Sequence, residues 1–164
     1  TVLSSGFDSL VTERANRLHW PTGRLRYNVA MLLELTRLQP ISYRLELDGT
    51  SHDFDAALVS VGNGPAYGGG MAICPEARVD DGLLDVTIVR AASRTRLVRL
   101  SPTLYKGTHV RLPEVQTHRA ARITLDAPGM VAYADGERFP ALPVRIDAVR
   151  NAVTVMVGRS SRLG

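Results

Sequence analysis

The stretch RITLDAPGMVAYADGERFPALPVRIDAVRNAVTVMV, residues 122–157, decides the fold class. Apolar and polar residues alternate over 122–126, Ala127-Pro128-Gly129 makes a turn, and the chain returns over 130–135. Two further runs, 142–147 and 152–157, keep the same period of two; in the last, Val153, Val155 and Val157 share one face. Connections this short suit antiparallel neighbours. Working back, Ile41, Tyr43, Leu45 and Leu47 alternate with Ser42, Arg44 and Glu46, a half-buried strand that ends at Asp48-Gly49-Thr50. Residues 54–61 and 83–89 are more continuously apolar strands. Helices are expected only at the margins. The 3–4 spacing of Leu25, Val29 and Leu32, with Tyr27, Met31, Leu35 and Leu38, predicts a helix over 24–38 that Pro40 stops. Residues 93–105 predict one or two short helices broken at Ser101-Pro102, with Ser93 as N-cap. Residues 1–12 read as a strand end with a glycine turn, and 13–20 as polar and irregular. The expected architecture is mostly β: an antiparallel β-sandwich with a few peripheral helices.

Composition narrows the function classes. The chain has 164 residues, 45% hydrophobic and 22% charged, the proportions of one globular domain. One cysteine, Cys74, excludes an internal disulfide framework and a cysteine-built zinc site, and reads as a small buried apolar residue. The net charge of +4 allows phosphate, an anionic membrane or nucleic acid as partner. Aromatic residues amount to 5% and do not interleave with the basic ones, so a base-stacking nucleic-acid platform is not expected. No apolar run approaches the length of a membrane-spanning helix. His19, His52, His109 and His118 show no metal-ligand spacing, and Arg94, Arg96 and Arg99 read as a solvated helix face.

Three short segments could carry chemistry. The loop from Gly62 through Asn63 and Gly64 to Gly68, Gly69 and Gly70 follows an apolar strand, as a dinucleotide-binding turn does. No amphipathic helix follows it, however, and there is no Gly-Lys-Ser/Thr, so it reads equally as a tight turn where backbones approach closely. Asp80-Asp81-Gly82-Leu83 offers hard oxygens to Mg²⁺ or Ca²⁺, or is an Asp-Gly turn entering a strand. In Ala134-Asp135-Gly136-Glu137, Asp135 falls on the side of Val131 and Tyr133. A bend at Gly136 would let Glu137 face the same space, giving two carboxylates suited to a general base with an orienting partner; a polar turn is the alternative.

The ordered set is more specific than any member. GFD at 6–8, WPTGRLRYN at 20–28, VGNGPAYGGGM at 61–71, PEARVDDGLLDV at 75–86, KGTH at 106–109 and ADGE at 134–137 together resemble the C-terminal domain of the bacterial diacylglycerol kinase-like lipid kinases. That family is related to the sphingosine kinases and more distantly to the NAD kinases. The resemblance covers nearly the whole chain. It implies the NAD kinase/diacylglycerol kinase-like fold, with residues 1–164 as the acceptor-side domain. The nucleotide-binding domain, with its Gly-Gly-Asp-Gly-Thr motif, would then lie outside this sequence, as a start without Met also suggests. It further implies Asp135 as the base that takes the lipid hydroxyl proton and Glu137 as its orienting or metal-assisting partner. A structural Mg²⁺ would be held by the Asp81 side chain and the Leu83 carbonyl, with Asp80 contributing. Asn63 and Gly68–Gly70 would line the interdomain cleft.

The implied partners are a lipid substrate and ATP, bound mainly by the other domain, with peripheral contact to an anionic membrane. That places the protein in the cytoplasm at the inner membrane face; a homodimer is allowed and nucleic acid is not expected. The acceptor stays open among diacylglycerol, a sphingoid base, phosphatidylglycerol and a glycolipid, and a non-catalytic lipid-binding module is the competing class.

Overall fold

Residues 41–47 form the alternating strand the sequence predicts, and the rest of the sheet grows around their partner. The structure is a computed structural model that describes residues 2–67, 70–90, 93–139, 141–154 and 156. In chain order it contains β1 (Val2–Gly6), α1 (Phe7–Arg17), α2 (Arg24–Arg37), β2 (Ile41–Leu47), β3 (Thr50–Gly62), β4 (Leu84–Arg90) and α3 (Arg94–Tyr105). A 3-10 turn (Thr108–Arg111), β5 (Val115–Ala120), β6 (Arg122–Asp126), β7 (Ala132–Ala134), β8 (Glu137–Phe139) and β9 (Val144–Asp147) follow.

All strand pairs named here are antiparallel. The long β3 is the hub: its first half pairs with β2, and its second half with β1 and β4. A register shift between Ala56 and Leu58 marks the change. From there the sheet runs outward through β6 to β9, through β7 to β8, and through β4 to β5. One face of the sheet carries the main core, which includes Leu45, Val59, Val86, Ile88, Ile123 and Leu125. A second core on the other face, with Val2, Leu58, Ile73, Cys74, Val89 and Val115, is covered by Leu97, Leu100 and Leu104 of α3. Apolar residues are therefore needed on both sides of β3 and β4, which is why those segments do not alternate.

Three expectations for the elements are corrected, and one strand is added. Residues 13–20 are not irregular throughout: α1 runs to Arg17, because Phe7, Val11, Ala15 and Leu18 form a stripe that packs on Ala30 and Met31 of α2. Helix α3 is not broken at Ser101-Pro102. Pro102 lies inside it, and packing of Leu97, Leu100 and Leu104 on the second core holds the turn despite the missing N–H. Residues 115–120 add a strand, β5, whose ends alone are buried. The strand expected over 152–157 is not formed by residues 152–154 or 156; Val155 and Val157 lie outside the described residues. Cys74 is buried as expected, and burial pushes its thiol up to about 11.

Candidate active site

The turn between β7 and β8 places Asp135. Both its residues, Asp135 (φ 49°) and Gly136 (φ 89°), have positive φ, the backbone of a two-residue hairpin that Asp-Gly suits. The Asp135 amide donates to the Val2 carbonyl (3.2 Å), and the Val2 amide donates to Asp135 Oδ1 (3.0 Å). The carboxylate is thereby fixed at the end of β1. Across the hairpin, Arg138 pairs with Tyr133 and Glu137 with Ala134. Paired residues share a face, so Glu137 falls on the Ala134 side and not, as the sequence suggested, on the side of Tyr133.

The register carries this end of the sheet onward. Val2 pairs with Gly62, Gly62 with Asp85, and Asp85 with Arg119. Asp135, the start of the Asn63 loop and the Asp81–Asp85 segment therefore lie along one edge of one face. Three strand spacings, about 14 Å, separate β7 from β4. Of the loop residues, Asn63 is half-buried and Gly70 exposed; Gly68 and Gly69 lie outside the described residues.

At the far end of this row two carboxylates converge on one guanidinium. Asp81 Oδ1 accepts the Leu83 amide (2.9 Å) and its Oδ2 accepts from Arg119 Nη2, while Arg119 Nε stands 3.4 Å from Asp85 Oδ2. Arg150 Nη2 donates to the Asp81 carbonyl (2.7 Å). Asp80 turns away to an exposed ion pair with Arg78 (3.3 Å). Asp85 replaces it as the carboxylate beside Asp81. Burial raises the Asp85 pKa, against the opposing pull of Arg119, whose long 3.4 Å ion pair is the contact its buried Oδ2 makes. Two carboxylates side by side are the hard donors Mg²⁺ takes, but here the Arg119 guanidinium occupies the space between them, so a metal would bind only by displacing it. Among the described residues, no three His, Cys, Asp or Glu side chains form a closed cage, so carbonyls and water would complete the shell.

One carboxyl of this face escaped the sequence reading. Asp8, in the first turn of α1, hydrogen-bonds the side chains of Tyr67 and Ser4. Ser4 in turn bonds Ser60 (3.0 Å) and lies opposite Tyr133. Burial pushes Asp8 up to about 6, and the two hydrogen bonds only partly offset it. Tyr67 is likewise held well above its ordinary value, by burial first and then by Asp8. The signal was present in GFD at 6–8, an acid directly after a Gly-Phe that ends a strand. A raised folded-state pKa stabilises the protein fully below the unfolded value of 3.8, and that contribution is lost as pH rises through about 6. Asp8→Asn should therefore flatten the fall in unfolding free energy between pH 4 and 7, a fall of up to about 3 kcal/mol. Urea titrations at several pH values test this, and an unchanged slope in the variant would refute it.

Comparison with known proteins identifies the family and the fold. The model of the YegS C-terminal NAD kinase beta sandwich-like domain matches residues 1–157. A protein of Mycobacterium tuberculosis named "Diacylglycerol kinase" is 52% identical over 157 residues, covering 95% of this chain and 51% of that protein. A protein of Stenotrophomonas maltophilia named "Probable lipid kinase YegS-like" is 32% identical over 154 residues, covering 92% of this chain and 50% of its own length. The crystal structure of a diacylglycerol kinase from Bacillus anthracis superposes with a TM-score of 0.62 at 21% identity, over 91% of this chain and 48% of that one, a likeness of fold. The chain thus spans about half the length of the curated relatives it matches. With every described strand and both carboxylate-bearing turns inside the matched region, this chain belongs to the family of YegS C-terminal NAD kinase beta sandwich-like domains.

Proposed function

We propose that residues 1–164 are the acceptor-side half of an ATP-dependent lipid kinase that phosphorylates the hydroxyl of diacylglycerol or a similar lipid. The observation that carries this reading is the placement of Asp135 by the backbone of Val2, on the same sheet edge as the glycine loop and the Asp81–Asp85 pair. Phosphoryl transfer needs a positioned hydroxyl, a base for its proton and positive charge on the phosphates. Asp135 takes the proton as the hydroxyl oxygen bonds to the terminal phosphorus and the bond to ADP breaks. The Val2 amide helps to orient the carboxylate. Asn63 and the glycine loop leave room for the acceptor or the other half of the protein. ATP is bound mainly by that other half, outside residues 1–164. Mg²⁺ would be held by Asp81, the Leu83 carbonyl and Asp85 in place of the Arg119 guanidinium, and would supply positive charge for the phosphates. No helix among the described residues is long and apolar enough to cross a membrane; the lipid would be met by peripheral contact with an anionic membrane.

The test uses labelled ATP and a panel of diacylglycerol, a sphingoid base, phosphatidylglycerol and a glycolipid in mixed micelles. The protein carrying both halves is expected to label diacylglycerol. Residues 1–164 alone should label none of the four. Turnover by this chain alone would refute the division of labour, and no labelled lipid from the longer protein would refute the kinase reading.

A further inference from the structure

Helix α2 turns its apolar side the wrong way for a surface helix in water. Its inner face is fully used. Ala30 and Met31 pack on α1, Tyr27 bonds Thr12 (2.8 Å), and Glu34 pairs with Arg14. At 100° per residue, Leu25, Val29, Leu32 and Leu33 fall on the opposite side. There Leu25 is 65% exposed, Leu32 57% and Leu33 41%, and Trp20, in the connection between α1 and α2, is 82% exposed. An outward face would ordinarily be polar.

We propose that the α1–α2 hairpin is a bilayer-docking element, with Trp20, Leu25, Leu32 and Leu33 entering the headgroup region of an anionic membrane. Charge selects this occupant. The only acid of α2 is Glu34, which is buried and bonded to Arg14, so no negative charge of this helix lies beside its outer apolar stripe. Arg26 and Arg37 lie along one flank of the apolar stripe, near its two ends. An apolar stripe flanked by arginines, with a tryptophan beside it, is the pattern of a helix lying in the plane of a membrane interface. The proposal rests on the lipid-kinase reading for its purpose, since such an enzyme must meet an acceptor that stays in the bilayer. Its physical argument stands apart from Asp135 and the carboxylate pair.

Trp20 is the single tryptophan of the chain, so its emission reports on this hairpin without labelling. Mixed with vesicles of phosphatidylcholine and phosphatidylglycerol, the chain should show blue-shifted Trp20 emission and float with the vesicles. With phosphatidylcholine alone both effects should be much smaller. Leu25→Ser combined with Leu32→Ser should lower partitioning at least about tenfold, with circular dichroism and Tm unchanged because both side chains already face solvent. The proposal is overturned if no vesicle shifts the emission. It is also overturned if the shift follows protein concentration without lipid, which identifies a second copy as the cover. Trp20 already shielded from quencher in the two-half protein before lipid is added identifies the other half instead, and overturns it too. Activity separates the two readings. The double variant should keep micellar diacylglycerol turnover and lose turnover on vesicles. Vesicle binding with no lipid kinase activity would sink the kinase reading alone, and kinase activity without vesicle binding would sink the hairpin alone.

Discussion

Asp135→Asn, made in the protein that carries both halves, is expected to lower kcat by about 10²- to 10⁴-fold, the usual worth of a positioned general base. The substitution is chosen to leave the fold alone. Asparagine keeps an oxygen at the position of Oδ1, so the 3.0 Å bond from the Val2 amide survives. It also tolerates the positive φ of 49° better than most residues do. What it loses is the ability to accept and hold a proton. Tm should therefore stay close to wild type while the chemical step collapses, and KM for the lipid should move little. A wild-type kcat would remove Asp135 from the base role. Alanine is the poorer probe, because it also strips the Val2 amide of its acceptor and mixes positioning with chemistry.

Gly6→Ala is expected to cost at least about 3 kcal/mol of stability, enough to deprive a marginally stable domain of most of its folded population. Gly6 joins β1 to α1 at φ 103° and ψ −137°, a region close to glycine-only backbone. A Cβ there would stand 2.5 Å from the Ala57 carbonyl oxygen and 2.7 Å from the Tyr43 hydroxyl. The first neighbour is backbone in the central strand, and the second is the tip of a buried ring in the main core. Neither can retreat without disturbing β2 and β3. Gly129→Ala is the matched control. It has a similar positive φ of 78° but open space around the missing Cβ, so it should cost only about 1 kcal/mol from backbone strain. Denaturant unfolding of both variants separates steric exclusion from strain. Equal losses would mean that the close approach at Gly6 is not what matters.

The sequence was legible where one face of an element is polar. Residues 41–47 and 122–126 alternate because one side meets solvent, and both were found within a residue of their observed bounds. It was illegible where burial is decided at a distance. Helix α1 hides its inner stripe of Phe7, Val11, Ala15 and Leu18 among polar residues such as Thr12, Glu13 and Arg14, and only Ala30 and Met31 of the next helix make that stripe count. Strand β5 holds its place through backbone pairing with β4 and shows almost no alternation. The candidate site divides in the same way. Asp135 and Asp81 could be picked out because each precedes a glycine in a turn. Asp85 could not be preferred to Asp80, because the choice is made by Arg119, 38 residues after Asp81 in the chain. Nothing local in the sequence gives Asp8 a role, since the tyrosine that bonds it is contributed by a loop beyond β3.

Strand β3 has one further consequence. Its second half is gripped on both edges, by β1 on one side and β4 on the other, and it has a core against each face. Neither neighbour can detach without baring backbone donors and apolar surface that the other then cannot cover. The Val2 end, which steers Asp135, and the Asp85 end, which gathers the second carboxylate pair, therefore belong to one cooperative unit. They come apart together or stay together, and local fraying can loosen α1 and α2 without detuning the distance across that edge.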